Sequence, residues 1–401
     1  MRILTIALLV SGACAWAQNA PGRGGSGAAV RSPEVSADRR VTFRLRAPNA
    51  KEVSVSGGGI QRLAMQKDEQ GVWSATTEPL EPEIYEYSFT VDGLTIPDPR
   101  NPLQKTAYKN GGSSMVHVPG PGSWEPADVP HGVVSHHFYK SAVVGDDRDF
   151  YVYTPPNYDP AHKELYPVLY LLHGLGDDAA GWLTTGAGNV ILDNLIAQGK
   201  AKPMIMVNTL GYGAPEMVAG GGRGGMSGAG VMEKNNEYYA RALLEEVIPQ
   251  VEKAYRASKD RTQRAIAGLS MGGAEALFTG LNHIDRFAWI ASFSGAFVMW
   301  SSGRPAPAAV PAGGRGGPSL DAAVFAKVFP GVNSKANSQL KLLWISCGTS
   351  DGLIGVNRQF KDWLKTQQVE FKDLETPGAH TWPVWRHNLT DLAPLLFQTK
   401  K

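Results

Sequence analysis

From about residue 133 onward the chain alternates between two kinds of segment, and no other feature of its 401 residues restricts the fold as much. Continuous apolar runs recur at 167–172, 204–208, 264–268, 289–293 and 341–347. Each has the length of a strand and reads as one covered on both faces, because a strand with one wet face would alternate apolar with polar residues. Helical stretches lie between them. The clearest is 237–255, where Tyr239, Leu243, Val247 and Val251 recur every four residues and so line one side of a helix. Strand and helix alternating over some 250 residues predict a doubly wound, mostly parallel sheet with helices on both faces.

Ahead of residue 120 the texture is different. Segments 41–45, 53–55 and 85–91 alternate at period two, and Gly and Pro clusters at 57–59, 79–82 and 97–102 separate them. This predicts a small all-β, immunoglobulin-like sandwich over 33–120, with Trp73 in its core. A linker follows to about residue 130, and the α/β domain occupies 131–401. At the N-terminus, Arg2, the apolar stretch 3–10 and the Ala15-Trp16-Ala17 pattern read as a signal peptide, 1–17, cut before Gln18. Ser11-Gly12-Ala13-Cys14 loosely resembles a lipoprotein signal, so anchoring at Cys14 is the alternative. Residues 18–32 read as a flexible leader. The expected location is secreted or periplasmic. Cleavage before Gln18 leaves Cys347 alone, and the fold must then rest on its core rather than on an intrachain disulfide.

Composition removes several function classes. Lys and Arg number 39 against 37 Asp and Glu, a balance that offers no nucleic-acid-binding surface. Past the N-terminus, no apolar run approaches the ~20 residues a membrane span needs. Hydrophobic residues make up 43% of the chain and charged ones 19%, enough to bury a sizeable core. Two Gly-rich segments, 219–230 and 304–317, have nothing to pack and are expected to be mobile surface insertions.

Ala267-Gly268-Leu269-Ser270-Met271-Gly272-Gly273 fits G-x-S-x-G, with an apolar strand before it and a helix-forming run after it. The small residues permit a tight strand-to-helix turn that lifts the Ser270 hydroxyl above the sheet as a nucleophile, the arrangement of the α/β-hydrolase fold. Such a serine needs a base, and the base an orienting acid. After Ser270 only His283, His380 and His387 remain. His283 falls at the far end of the helix and His387 inside a helical run. His380 lies in a loop after a strand at 369–374, so the ring can bend over the serine. Asp351 follows the strand at 340–347, at its carboxyl end and so on the same sheet edge as Ser270, and is the expected acid; Glu375, closing the strand into His380, reads as a solvated side chain, and Asp373 also lies in that strand. For the oxyanion, the N–H of Met271 and that of Leu175, in the loop after the first buried strand, are the expected donors. His173 in that loop reads as turn-shaping. His136 and His137 are adjacent in a strand and point to opposite faces, so no metal site and no cofactor are expected.

The blocks "LYLLHGLGDD…GW", "AIAGLSMGGAEAL", "CGTSDGLIGVNRQFKDWL" and "PGAHTWPVWRHNL" resemble family 1 carbohydrate esterases, the feruloyl and acetylxylan esterases related to esterase D. The resemblance covers roughly residues 136–397. The N-terminal "RVTFRLRAPNAKEVSVSG" and "GVWSATTEPLEPEIYEYSFTVDG" resemble carbohydrate-binding module family 48. The resemblance implies a secreted serine esterase acting on feruloyl or acetyl esters of plant cell-wall polysaccharide or its oligosaccharides. It also implies Ser270, Asp351 and His380 as the triad, with Leu175 and Met271 at the oxyanion hole. Trp182, Tyr212, Trp300 and Trp382 are candidate aromatic walls for a feruloyl ring or a sugar. The alternatives are a small-acyl or siderophore-type esterase, a peptidase, and a non-catalytic carbohydrate-binding protein.

Overall fold

The computed structural model describes residues 30–108, 112–161, 163–219, 230–300 and 320–398. The expected signal peptide, nearly all of the leader, residues 220–229 of the first Gly-rich segment and the whole of the second lie outside the described residues.

Period-two segments in the first 120 residues fold as two antiparallel sheets. One runs Glu34–Val35, Val41–Arg46, Val72–Thr76, Gln66–Lys67; the other runs Ile60–Ala64, Val53–Gly57, Glu83–Val91, Ser113–Val118, Gln104–Lys105. Alternation decides what faces inward: Val41, Phe43 and Leu45 are buried from the first sheet, and Tyr85, Tyr87 and Phe89 from the second. Phe43 and Tyr87 meet across the sandwich with ring centroids 4.6 Å apart. Trp73 is core, its indole N–H bonded to the Ala47 carbonyl at 2.9 Å.

The segment expected as a linker is docked on the large domain. Asn194 donates to the carbonyls of Ser123 and Glu125, each at 2.8 Å, and Trp124 is buried between them. Backbone carbonyls lying against a domain surface need donors, and Asn194 supplies both.

The large sheet has eight strands: β1 (Val133–Lys140), β2 (Asp147–Thr154), β3 (Val168–Leu172), β4 (Ile205–Thr209), β5 (Arg264–Leu269), β6 (Trp289–Phe293), β7 (Leu342–Gly348) and β8 (Lys372–Thr376). Their order is β1-β2-β4-β3-β5-β6-β7-β8, with β1 and β2 antiparallel at one edge and the other six parallel. Helices α1 (Gly188–Ala197) and α5 (Trp382–Leu392) cover one face; α2 (Val231–Ala242), α3 (Met271–Asn282) and α4 (Ile354–Thr366) cover the other. Strand β3 shows why its residues are all apolar: Leu169 and Leu171 pack toward Ile191 and Leu389, while Tyr170 and Leu172 pack toward Tyr239, Leu277 and Phe360. The helix expected over 237–255 begins earlier, at Val231, and runs to Ala254 with a widened π turn at Leu243–Val247. Pro249 follows that turn. It has no N–H to offer the carbonyl four residues back, which favours a local change of pitch. Among the described residues no helix is long and apolar enough to cross a membrane.

Strand order reverses beside β3: the chain goes outward to β4, then returns to the other side of β3 as β5. In an open α/β sheet this is where a crevice opens beyond the carboxyl ends of the strands. The loops after β3 and β5 therefore meet there.

Candidate active site

Between β5 and α3 the whole turn is a single residue. Ser270 has φ +52° and ψ −113°, a conformation side chains disfavour, and it survives because its backbone is held on all sides. Its N–H donates to Phe293 O at 2.9 Å, and its carbonyl accepts from Ala274 N and Ala296 N. Flanking glycines are required by contact: a Cβ at Gly268 would stand 2.3 Å from the Gly272 carbonyl oxygen, and one at Gly272 would stand 2.4 Å from His173 O. The G-x-S-x-G spacing thus lets helix α3 start directly against the loop after β3.

A relay runs from that serine. The Ser270 hydroxyl donates to His380 Nε2 at 2.9 Å, and His380 Nδ1–H donates to Asp351 Oδ2 at 2.8 Å. Asp351 is 2% exposed and its other oxygen accepts the Leu353 N–H at 2.8 Å. Burial opposes its ionisation, but the bonds from His380 and Leu353 outweigh it and hold the carboxyl below its ordinary range. His380 is held laterally by Trp385, whose ring stands edge-on at 5.0 Å. Glu375, expected to be solvated, is instead ion-paired. Arg358 at 2.9 Å and Lys361 at 2.7 Å pull its carboxyl down to about 2. Both rival histidines stay away from the serine: His283 caps the far end of α3, and His387 lies exposed beside Trp124 and Glu83.

The second loop, 173–177, is pinned from several directions. His173 donates from Nδ1 to Gly174 O at 2.8 Å and accepts the Gly211 N–H on Nε2 at 2.9 Å. Burial lowers its pKa, so the ring is neutral and shapes the turn. The Tyr212 hydroxyl accepts from Gly176 N at 2.8 Å and donates to Asp177 O at 2.9 Å. The approach to the serine is close, since a Cβ at Gly174 would lie 3.3 Å from Ser270 Cβ. As the first residue of α3, Met271 carries an N–H with no acceptor inside the helix. Met271 therefore follows Ser270 directly, and Leu175 lines the same cavity as the serine.

Residues 141–396, which carry this geometry, match the Esterase family model, whose description reads "Putative esterase". The chain belongs to the Esterase family. It is 30% identical over 91% of its length to the endo-1,4-β-xylanase/feruloyl esterase of Xylanibacter ruminicola, of which it spans 46%. It is 25% identical over 38% of its length to the acetyl esterase of Caldicellulosiruptor saccharolyticus, of which it spans 61%. The chain therefore spans about half the length of the curated relatives it matches. Among solved structures, a ferulic acid esterase is similar over 67% of this chain and 98% of its own, with 25% identity and TM-score 0.53. The enterochelin esterase of Shigella flexneri shares the fold over 91% of this chain and 95% of its own, with 19% identity and TM-score 0.65. The chain thus shares its fold with esterases of α/β-hydrolase type.

The cleft of this esterase-family chain is a cavity of about 210 Å³ lined by Ser270, His380, Leu175 and Trp382. Of the four aromatic walls expected, only Trp382 lines it. Trp182 is fully buried, its indole N–H bonded to Leu172 O at 2.9 Å. Trp300 sits in an aromatic cluster with Phe297, Phe329 and Phe360. Tyr212 is buried as a brace for loop 173–177, with its ring stacked 4.8 Å from Tyr108. Large aromatics on strand-flanking segments bury more area by packing between layers than by facing a small cleft, and burial prevailed. The adjacent His136 and His137 do point apart, to Asp149 and to Tyr255.

Three lining residues had no signal in the sequence: Gly58, Glu86 and Lys105, all from the sandwich. They sit in ordinary strand and turn segments, and only their docking onto the sheet brings them to the serine. A larger cavity of about 640 Å³ opens at the opposite, amino end of the parallel strands, with Pro130, Pro156, Leu165 and Pro203 among its lining residues. It holds no nucleophile beside a base.

Proposed function

We propose that this chain is a serine carboxylic-ester hydrolase acting on feruloyl or acetyl esters of plant polysaccharide. The observation that carries the reading is the unbroken relay Ser270–His380–Asp351 at a strained strand-to-helix turn inside a cleft. Ser270 Oγ attacks the ester carbonyl carbon while His380 Nε2 takes its proton. The oxyanion so formed lies between the N–H groups of Leu175 and Met271. Collapse breaks the bond to the alcohol, which leaves with the proton from His380, and the acid remains as an ester on Ser270. A water that gives its proton to His380 then attacks that ester and releases the acid. Asp351, kept ionised, fixes the ring tautomer and stabilises the imidazolium.

The feruloyl esterase name of the Xylanibacter ruminicola relative supports the acyl group, and its xylanase name supports the polysaccharide. Secretion through a cleaved signal, an immunoglobulin-like, carbohydrate-binding type of sandwich, and the absence of a metal or cofactor belong to the same proposal. The siderophore alternative draws on the likeness to enterochelin esterase, which extends over both parts of the chain. The test is initial rates on methyl ferulate, acetylated xylan and a catecholate-serine ester, with Ser270→Ala as control. Release of ferulate or acetate that the variant abolishes is the expected result. Turnover of the catecholate ester alone moves the substrate to siderophores, and turnover unaffected by Ser270→Ala overturns the mechanism.

A further inference from the structure

The sandwich does more than pack against the esterase-family part of the chain; it closes one side of the cleft. Lys105 reaches across the junction, with Nζ 2.7 Å from Asp177 Oδ1 and 3.1 Å from Glu86 Oε1, and lies 6.0 Å from the centre of the Trp382 ring. Its side chain is 16% exposed, yet it lines the same cavity as Ser270 and His380, as do both carboxylates. Burial alone would lower the lysine pKa, but Asp177 and Glu86 outweigh it and hold it above its ordinary value, so it stays charged. One ammonium between two carboxylates leaves the cluster net negative. It repels an anion and presents acceptor, donor, acceptor in a row, the pattern that pairs with neutral hydroxyls, each of which both donates and accepts.

The side of the cleft is set by the chemistry. The leaving alcohol receives its proton from His380 Nε2, so it departs along the wall that continues from His380 into Thr381 and Trp382. The sandwich covers that wall: a Cβ at Gly58 would lie 3.5 Å from Thr381 Cγ2, and Lys105 stands over Trp382. We propose that Glu86, Lys105 and Asp177 form a subsite for the sugar hydroxyls of the alcohol moiety, so that the chain selects sugar esters over esters of simple alkanols. This rests on ester hydrolysis at Ser270.

The test uses the full chain, with Lys105→Met and Glu86→Gln, and measures kcat and KM on a feruloylated arabinoxylo-oligosaccharide and on methyl ferulate. Selectivity is the ratio of the two kcat/KM values. Removing a charged hydrogen-bonding group is expected to lower that ratio by about tenfold or more, carried by KM for the sugar ester. An unchanged ratio, whether or not both rates fall together, overturns the subsite and leaves Lys105 as a strut between the two parts of the chain. Should Lys105→Met not fold, Glu86→Gln, which keeps size and an acceptor, decides the matter alone. Absence of wild-type turnover on both esters overturns the hydrolase reading and the subsite with it, a pattern distinct from unchanged selectivity.

Discussion

The two walls of the cleft are built on different terms. One comes from the carboxyl ends of neighbouring strands: loop 173–177 after β3, Ser270 after β5, Asp351 and His380 after β7 and β8. Each residue is placed by the strand immediately before it, and the sheet needs only its parallel order to bring them together. The other wall comes from Gly58, Glu86 and Lys105 of the sandwich. Its position depends on long-range bonds, above all those of Arg386. That guanidinium is fully buried and donates to Glu83 Oε1 at 2.7 Å, to Thr185 O at 2.5 Å and to Ile84 O. The lesson is that the proposed chemistry rests on local turns, whereas the proposed choice of substrate rests on docking.

The sharpest way to test that division is to strike the chemical wall first. Ser270→Ala is expected to lower kcat by on the order of 10⁵–10⁶ with the thermal midpoint nearly unchanged, because the wall stays assembled while its nucleophile is gone. Steady-state rates and calorimetry on the same sample check both halves. Asp351→Asn comes next. Its amide can donate to His380 Nδ1 and favour the wrong tautomer, so kcat should fall by roughly 10³–10⁴, and a loss under tenfold would contradict the relay.

On the docking side, Arg386→Leu leaves Glu83 buried without its partner. A cost of about 3–5 kcal/mol in unfolding free energy is expected. If the comparison holds, chemical denaturation of this variant also uncouples the sandwich from the large sheet, seen as a second transition. A single unshifted transition would mean the docking does not depend on Arg386.

Tyr212→Phe is a gentler probe because it removes one hydroxyl from the loop brace. It leaves the Gly176 N–H unpaired, so about 1–3 kcal/mol and roughly tenfold in kcat are expected, read from activity and melting together.

The smallest effect concerns Glu275, one turn into α3. It is fully buried and accepts from Asn235 Nδ2 at 2.7 Å, and burial raises its pKa well above the carboxylate range. A raised folded pKa means stability that is complete below the unfolded value and declines as pH rises through the folded one. Glu275→Gln, which cannot ionise, should therefore match the wild-type melting point near pH 4 and exceed it by a few degrees above pH 8. The opposite order at high pH would show that the acid is ionised in the fold.

Legibility followed the same division. Ser270, His380 and Asp351 could be read because each has a local signature: an obligatory small-residue turn, a loop after a strand, a strand's carboxyl end. The aromatic residues were less readable. Trp182, Trp300, Tyr212 and Trp382 look alike in sequence, yet three are buried in packing or bracing and one lines the cleft. An indole's position along the chain does not say which of two neighbouring layers it will face. The docking of the linker was unreadable for a related reason. Its Pro- and Gly-rich composition describes what the segment cannot do alone, and Asn194 on α1 is what holds it.

By itself the sequence determined the order of the strands and helices, the turn that presents Ser270 and the partners able to serve it, because these depend on periodicity and on contacts a few residues apart. Tertiary structure alone decided that Lys105 and Glu86 would stand beside that serine, and that Arg386 would be buried to hold them there. Arg386 and Glu83, which pair across the junction, are 303 positions apart in the chain. No local preference specifies such a contact; it forms only when two finished surfaces meet and their charges find partners out of water.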